Sequence, residues 1–167
     1  MSDDELIDYK EDQTKKTRRT RKAKSSAQFK DFLLRDELNE VLKDLAFEHP
    51  SEVQQMAIPK AILGQDILCQ AKSGTGKTAV FVLSTLQQLR VVEKETCVIV
   101  LVHTKEMADQ VKEEYKRFCK KLEGVTVEAV YGGVPFEEDL KRLSVSSPTV
   151  LVGTPWKNAR SCKEKGA

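Results

Sequence analysis

Residues 71–78, Ala-Lys-Ser-Gly-Thr-Gly-Lys-Thr, constrain the fold of this 167-residue chain more than any other feature. They sit between a short apolar run, Asp66-Ile67-Leu68-Cys69-Gln70, and a helical periodicity that extends from about Lys77 to Leu89. Strand, glycine-rich turn and helix are expected there in that order. The pattern fits G-x-x-x-x-G-K-[ST], with Ala71 in place of the first glycine. Gly74 and Gly76 let the backbone turn its N–H groups inward around an anion, and the following helix points its positive end at the same place. Lys77 would neutralise the β- and γ-phosphates of a nucleotide, and the Thr78 hydroxyl would hold Mg2+. The segment reads as a nucleotide-binding loop, with a plain glycine-rich turn as the weaker alternative.

The rest of the chain agrees with that beginning. Asp36 to Ala46 repeats apolar residues at helical spacing, and Ser51 is a good N-cap for a second helix that Gly64 stops near Leu63. Cys97 to Val102 is six apolar residues in a row, the mark of a strand buried on both faces. A helix is expected from about Thr104 to Leu122, a strand from Val125 to Tyr131, a helix over 136–143 and a strand from Thr149 to Val152. Strands alternating with helices through short loops imply an α/β fold, a parallel sheet flanked by helices.

Charge divides the chain. Residues 1–12 carry six acids and one base, and residues 13–24 carry seven bases and no acid, while the remaining 143 are balanced. Residues 1–26 are expected to be a disordered, solvated tail whose basic block serves either as a flexible arm or as a nuclear-import or RNA-contacting segment. No stretch approaches the roughly 18 consecutive apolar residues of a membrane-spanning helix, and the acidic first residues do not fit a signal peptide, so a soluble intracellular protein is expected. Cys69, Cys97, Cys119 and Cys162 show no C-x-x-C, and His49 and His103 have no partner at ligand spacing. Reduced, buried thiols are expected rather than disulfides or a zinc site.

Ser51-Glu52-Val53-Gln54 by itself is a capping box, in which Gln54 bonds back to the Ser51 backbone. Set beside the loop, however, Phe47 and Pro50-Ser51-Glu52-Val53-Gln54 resemble the Q motif, and residues 71–78 motif I, of DEAD-box RNA helicases. His103-Thr-Lys-Glu-Met-Ala108 resembles motif Ia, Gly132-Gly133 the GG motif, and Thr154-Pro155 the opening of motif Ib. The stretch Phe47 to Gln55 and the acidic opening Glu5 to Tyr9 are similar to the nuclear group that acts in pre-mRNA splicing and mRNA export.

The resemblance covers residues 27–155, and it implies a P-loop, RecA-like ATP-binding domain of a nuclear, RNA-stimulated ATP hydrolase that is a monomer. Phe47 would stack near the adenine and Gln54 would read its edge. Ala71, Lys72, Ser73, Gly74, Thr75, Gly76, Lys77 and Thr78 would hold ATP, with Mg2+ on Thr78. Thr104, Lys105, Gly132, Gly133 and Thr154 would grip the backbone of single-stranded RNA, a contact that carries no base information. Splicing or export proteins would be its partners.

The sequence also departs from the pattern. Lys105 replaces an arginine of motif Ia, which keeps the charge and loses the bidentate fork. Trp156 stands where motif Ib has glycine. No apolar strand here ends in Asp-Glu, so the acids that hold Mg2+ and orient the attacking water in phosphoryl transfer are missing, and no catalytic residue is assigned. Residues 156–167 match nothing further in the family. A fold incomplete at the C-terminus, from a truncated or misjoined gene product, is therefore expected. A non-catalytic module that binds nucleotide or RNA is the alternative function, and an unrelated phosphate-loop enzyme such as a small-molecule kinase is the least favoured.

Overall fold

The computed structural model describes residues 27–92, 95–133 and 135–155. The expected N-terminal tail, the segment 156–167 and its Trp156 lie outside the described residues. The chain opens with a 3-10 turn at Phe29–Phe32, which the sequence reading did not anticipate. It continues through α1 (Asp36–Asp44), α2 (Glu52–Ala61), α3 (Lys77–Gln88), β1 (Val98–Leu101), α4 (Lys105–Phe118), β2 (Val127–Val130), α5 (Phe136–Val145) and β3 (Val150–Gly153). The strands form one parallel sheet in the order β1-β3-β2, with Val98 and Val127 both level with Val150.

The pleat sorts each strand into two faces. One face, with Val100, Val127, Ala129, Val150 and Val152, packs on the main core, where Val82, Leu83, Leu86, Val111, Tyr115 and Phe118 from α3 and α4 are essentially inaccessible. On the other, Leu143 of α5 covers Val130 and Leu151. The central strand β3 is therefore buried along its whole length. β1 is not. It sits at the end of the sheet beyond that second cluster, and Ile99 and Leu101 stand 49% and 57% exposed. The expectation of a strand buried on both faces thus fails for β1, because among the described residues the cluster around Leu143 that covers this face does not reach Ile99 and Leu101. Cys97, which precedes it, is exposed as well, against the expectation of a buried thiol, whereas Cys119 is buried.

The expected strand at Asp66–Gln70 is also absent from the sheet. Ile67 is partly exposed and Leu68 fully so. Apolar, β-prone residues become a strand only by exchanging hydrogen bonds with a neighbour, and among the described residues none pairs with this run.

α1 is fixed to the layers behind it by its ends. The Arg35 N–H donates to Gln87 Oε1 of α3 at 2.8 Å, and Lys121 past α4 reaches Glu40 and Asp44 at 3.0 and 3.1 Å. These ion pairs are exposed and add little stability. More comes from Tyr115, whose ring fills the core while its hydroxyl shares a 2.8 Å hydrogen bond with Thr85 Oγ1. Burial pushes the Tyr115 pKa up to about 12.

That shift fixes the sign of an alkaline effect. The folded state keeps the proton that the unfolded chain loses above about pH 10, so stability falls between pH 10 and 12 and levels off beyond. The drop attributable to this group is about 2–3 kcal/mol. In urea titrations across that range, Tyr115→Phe is expected to show a drop smaller by that amount, and equal slopes for the two proteins would refute it.

Candidate functional site

The loop is built from both of its flanks. Gly76 is the N-cap of α3 at φ +83° and Gly74 takes φ +78°, backbone values that suit glycine and bend the chain into a cradle. Lys77, the first residue of α3, folds its ammonium back into the cradle and donates to the carbonyls of Ala71 and Lys72, both at 2.6 Å. Thr75 Oγ1 adds a bond to the Lys72 carbonyl at 2.9 Å. The loop is therefore closed around its own lysine, which must let go of two carbonyls before it can reach a phosphate. Lys72, Ser73 and Gly74 are exposed, and Thr75 to Thr78 are half-buried.

The start of α2 braces this loop. Ser51 caps the helix, its hydroxyl accepting from the Gln54 N–H at 3.3 Å while Gln54 Oε1 accepts from the Ser51 N–H at 2.8 Å. The capping box expected from the sequence is thus formed. The same two side chains also cross to the loop. Ser51 Oγ donates to the Thr75 carbonyl at 2.8 Å, and Gln54 Nε2 donates to the Gly76 carbonyl at 3.2 Å. Gln54 is 5% exposed, so this amide is a buried connector between helix and loop. Its bonds occupy one of two N–H groups and one of two lone pairs, leaving one donor and one acceptor, the pattern that matches the N6 and N7 edge of adenine.

Phe47 is placed differently. It is half-buried in an aromatic cluster, edge-on to Phe29 at 5.8 Å and to Phe118 at 5.6 Å. It lines a depression of about 510 Å3 together with Leu42 and Lys43, to which no loop residue contributes. A larger cleft of about 720 Å3 runs beside the loop, between α2 and residues 65–71, lined by Ser51, Met56, Leu68 and Thr75 among others.

The remaining expected residues gather at the carboxyl ends of the strands, where open α/β sheets bind ligands. Thr104 and Lys105 follow β1, Gly132 and Gly133 follow β2, and Thr154 follows β3, so the strand order sets them side by side. Thr104 Oγ1 caps α4 by accepting from the Met107 N–H at 3.2 Å. Lys105 is exposed, 3.7 Å from Glu106. Gly133 takes φ +106° in open space, and the Thr154 N–H donates to the Val130 carbonyl at 3.3 Å.

Two connections were missed by sequence reading. Ser51 reads as a cap alone, since its bond to Thr75 spans 24 residues. Tyr131 donates its hydroxyl hydrogen to Asp109 at 2.9 Å, tying the end of β2 to α4. That hydrogen bond to a carboxylate is the main reason the Tyr131 pKa is raised. Asp109 lies one helical turn beyond Lys105 on α4, a weak signal that could have suggested it.

For Mg2+, the Thr78 hydroxyl is a hard oxygen donor of the required kind. No cluster of three His, Cys, Asp or Glu stands ready to hold a metal among the described residues. A lone hydroxyl fits an ion that arrives with phosphate and water oxygens completing its shell.

Known proteins resemble this arrangement at two levels. At the level of fold, a helicase from Sulfolobus tokodaii, whose structure is described as that of a hypothetical ATP-dependent RNA helicase, superposes with a TM-score of 0.68 at 22% identity, over 80% of this chain and 38% of that one. At the level of sequence, the ATP-dependent RNA helicase sub2 of Sclerotinia sclerotiorum is 54% identical over 132 residues, 78% of this chain and 30% of the relative. The ATP-dependent RNA helicase uap56 of Schizosaccharomyces pombe is 51% identical over 142 residues, 84% and 33% respectively. The chain thus spans about a third of the length of these relatives. The DEAD/DEAH box helicase profile matches residues 51–166, from the cap of α2 onward, and the chain belongs to that family.

Proposed function

We propose that residues 27–155 form the adenine-nucleotide and part of the RNA-gripping surface of a RecA-like domain in an ATP-dependent RNA helicase of nuclear mRNA splicing and export. The observation that carries this reading is the pair of hydrogen bonds from the Ser51–Gln54 box to the loop carbonyls of Thr75 and Gly76, which joins the amide that would read the base to the loop that would hold the phosphates. Gly74 and Gly76 would admit the phosphates, Lys77 would neutralise them, and Thr78 would contribute its hydroxyl to Mg2+, which supplies further charge neutralisation when bound. Phe47 is given no role in this site, since its ring packs edge-on against Phe29 and Phe118 and lines a depression to which no loop residue contributes. Thr104, Lys105, Gly132, Gly133 and Thr154 would contact successive backbone groups of single-stranded RNA, with the positive N-terminus of α4 adding to the attraction.

The relatives' names, ATP-dependent RNA helicases, support ATP-dependent work on RNA, and the sequence resemblance to the nuclear splicing and export group implies splicing or export proteins as partners. No helix among the described residues is long and apolar enough to cross a membrane. Among the described residues no strand ends in an acid pair, so the 167 residues by themselves are expected to bind ATP and RNA without RNA-stimulated turnover. Measurable turnover abolished by Lys77→Ala would overturn that.

The base preference is tested by titrating ATP and GTP against the 167-residue chain. ATP is expected to bind about tenfold tighter or more, since one good bidentate base contact is worth about 1–3 kcal/mol. Gln54→Ala is expected to bring the two nucleotides within about twofold of one another while phosphate-dependent binding persists. An equal loss for both nucleotides would leave Gln54 as a helix cap and nothing more.

A further inference from the structure

Where α4 packs beside β2, the structure sorts the charges into pairs. Lys112 is held by Glu128 at 2.9 Å. Arg142, whose charge acts on Tyr131, donates to the Ala129 carbonyl at 3.1 Å and to Asp139 at 3.3 Å. Asp109 accepts the Tyr131 hydroxyl hydrogen between its two oxygens, at 2.9 and 3.0 Å.

Lys105 is placed differently. Its pair with the adjacent Glu106 is long, 3.7 Å, with the two side chains 64% and 70% exposed. Helix neighbours one residue apart do not face each other, and an exposed pair of this kind holds weakly. Lys105 is also the first residue of α4, where a positive charge works against the helix dipole. The helix gains nothing from this lysine. Asp109 is the acid best spaced to capture it, because residues four apart share a helix face. In the structure that carboxylate is turned instead to Tyr131, the last residue before Gly132 and Gly133.

From this geometry we infer that Tyr131 is a positioning residue for RNA: by holding the Asp109 carboxylate, it leaves the Lys105 ammonium available to a phosphate of the strand. The inference rests on the reading of Lys105 as an RNA contact given above. It adds a specific division of labour. Tyr131 touches no phosphate itself, and it acts by withholding a competing anion from the cation that does. The neighbouring cations do not substitute for its hydroxyl, since Lys112 and Arg142 already have acids of their own.

The test is the salt dependence with which the 167-residue chain binds a fluorescein-labelled oligouridine, followed by anisotropy. Each phosphate neutralised on a single strand contributes about 0.7 to the slope of log K against log salt. Tyr131→Phe is expected to flatten that slope by about 0.7 and to weaken binding about threefold, as Asp109 turns to Lys105. ATP affinity and the helical circular dichroism signal are expected to stay as in the parent. Adding Asp109→Asn is expected to restore slope and affinity, although the bond between the two side chains is still gone. A tie that served only to hold the loop in shape would not be restored in this way.

Lys105→Ala separates the inference from the reading beneath it. That variant is expected to flatten the slope by the same amount, after which Tyr131→Phe adds nothing more. A slope for Lys105→Ala equal to the parent's would remove Lys105 from the RNA surface, and the inference would fall with that reading. A flattened slope for Lys105→Ala beside an unaltered one for Tyr131→Phe would overturn the inference alone. So would a loss in Tyr131→Phe that Asp109→Asn does not restore.

Discussion

Lys77→Ala is expected to lower the affinity of the chain for ATP by about a hundredfold or more while moving the melting temperature little. A hydrogen bond to a charged group contributes about 1.5–3 kcal/mol, and an ammonium that bridges two phosphates makes at least two of them. In the ligand-free loop the same ammonium bridges two carbonyls, those of Ala71 and Lys72, so its removal also takes away what holds the loop closed. Lys72 is exposed and Ala71 half-buried, however, so water replaces the lost donor there, and the stability cost is about 1 kcal/mol or less.

The two effects therefore separate. Calorimetric titration reads the affinity and a thermal melt reads the fold. Lys77→Arg keeps the charge but presents a planar fork in place of a compact ammonium, and it is expected to recover only part of the affinity. An affinity for the alanine variant within threefold of the parent would show that the cradle does not receive phosphate through this side chain.

The parts of the fold that were legible in the sequence are those whose signal is local. α4 announces its buried stripe through Ala108, Val111, Tyr115 and Phe118 at helical spacing, and α2 announces its start through Ser51 and Gln54. β3 was legible because Val150 to Val152 is apolar throughout and is in fact covered on both faces. The same reasoning misled at β1 and at residues 66–70, where the composition is just as strand-like. Burial and pairing there depend on which neighbours the sheet supplies, and that is decided far away in the chain.

At the site, the loop was legible because its glycines and lysine occupy fixed offsets. The brace was not. Ser51 and Gln54 have complete local reasons to be what they are, and their second set of bonds crosses 24 and 22 residues. The cap was therefore legible in the sequence, and the structure adds that the same two side chains also bond to the loop carbonyls of Thr75 and Gly76.

That shared use makes Gly76 the most sensitive backbone position in the site. Gly76→Ala is expected to destabilise the chain by about 3 kcal/mol, a fall of about 6–12 °C in melting temperature at this size. Two contributions add. A side chain at φ +83° is strained by about 1–2 kcal/mol, and the new Cβ would run into the amide of Gln54, displacing the hydrogen bond that amide makes to the Gly76 carbonyl. Gly74→Ala is the matched comparison. Its φ of +78° is nearly the same, yet a Cβ there meets no atom within 4 Å, so about 1–2 kcal/mol is expected from backbone strain alone. The difference between the two variants isolates the collision with Gln54. Adding Gln54→Ala to Gly76→Ala removes the colliding amide, so the double variant is expected to lose about 1 kcal/mol less than the two single losses together, a coupling of the size contacting residues show. Strict additivity would mean that Gln54 does not press on the loop at Gly76, and the brace would then be no more than a helix cap that happens to lie nearby.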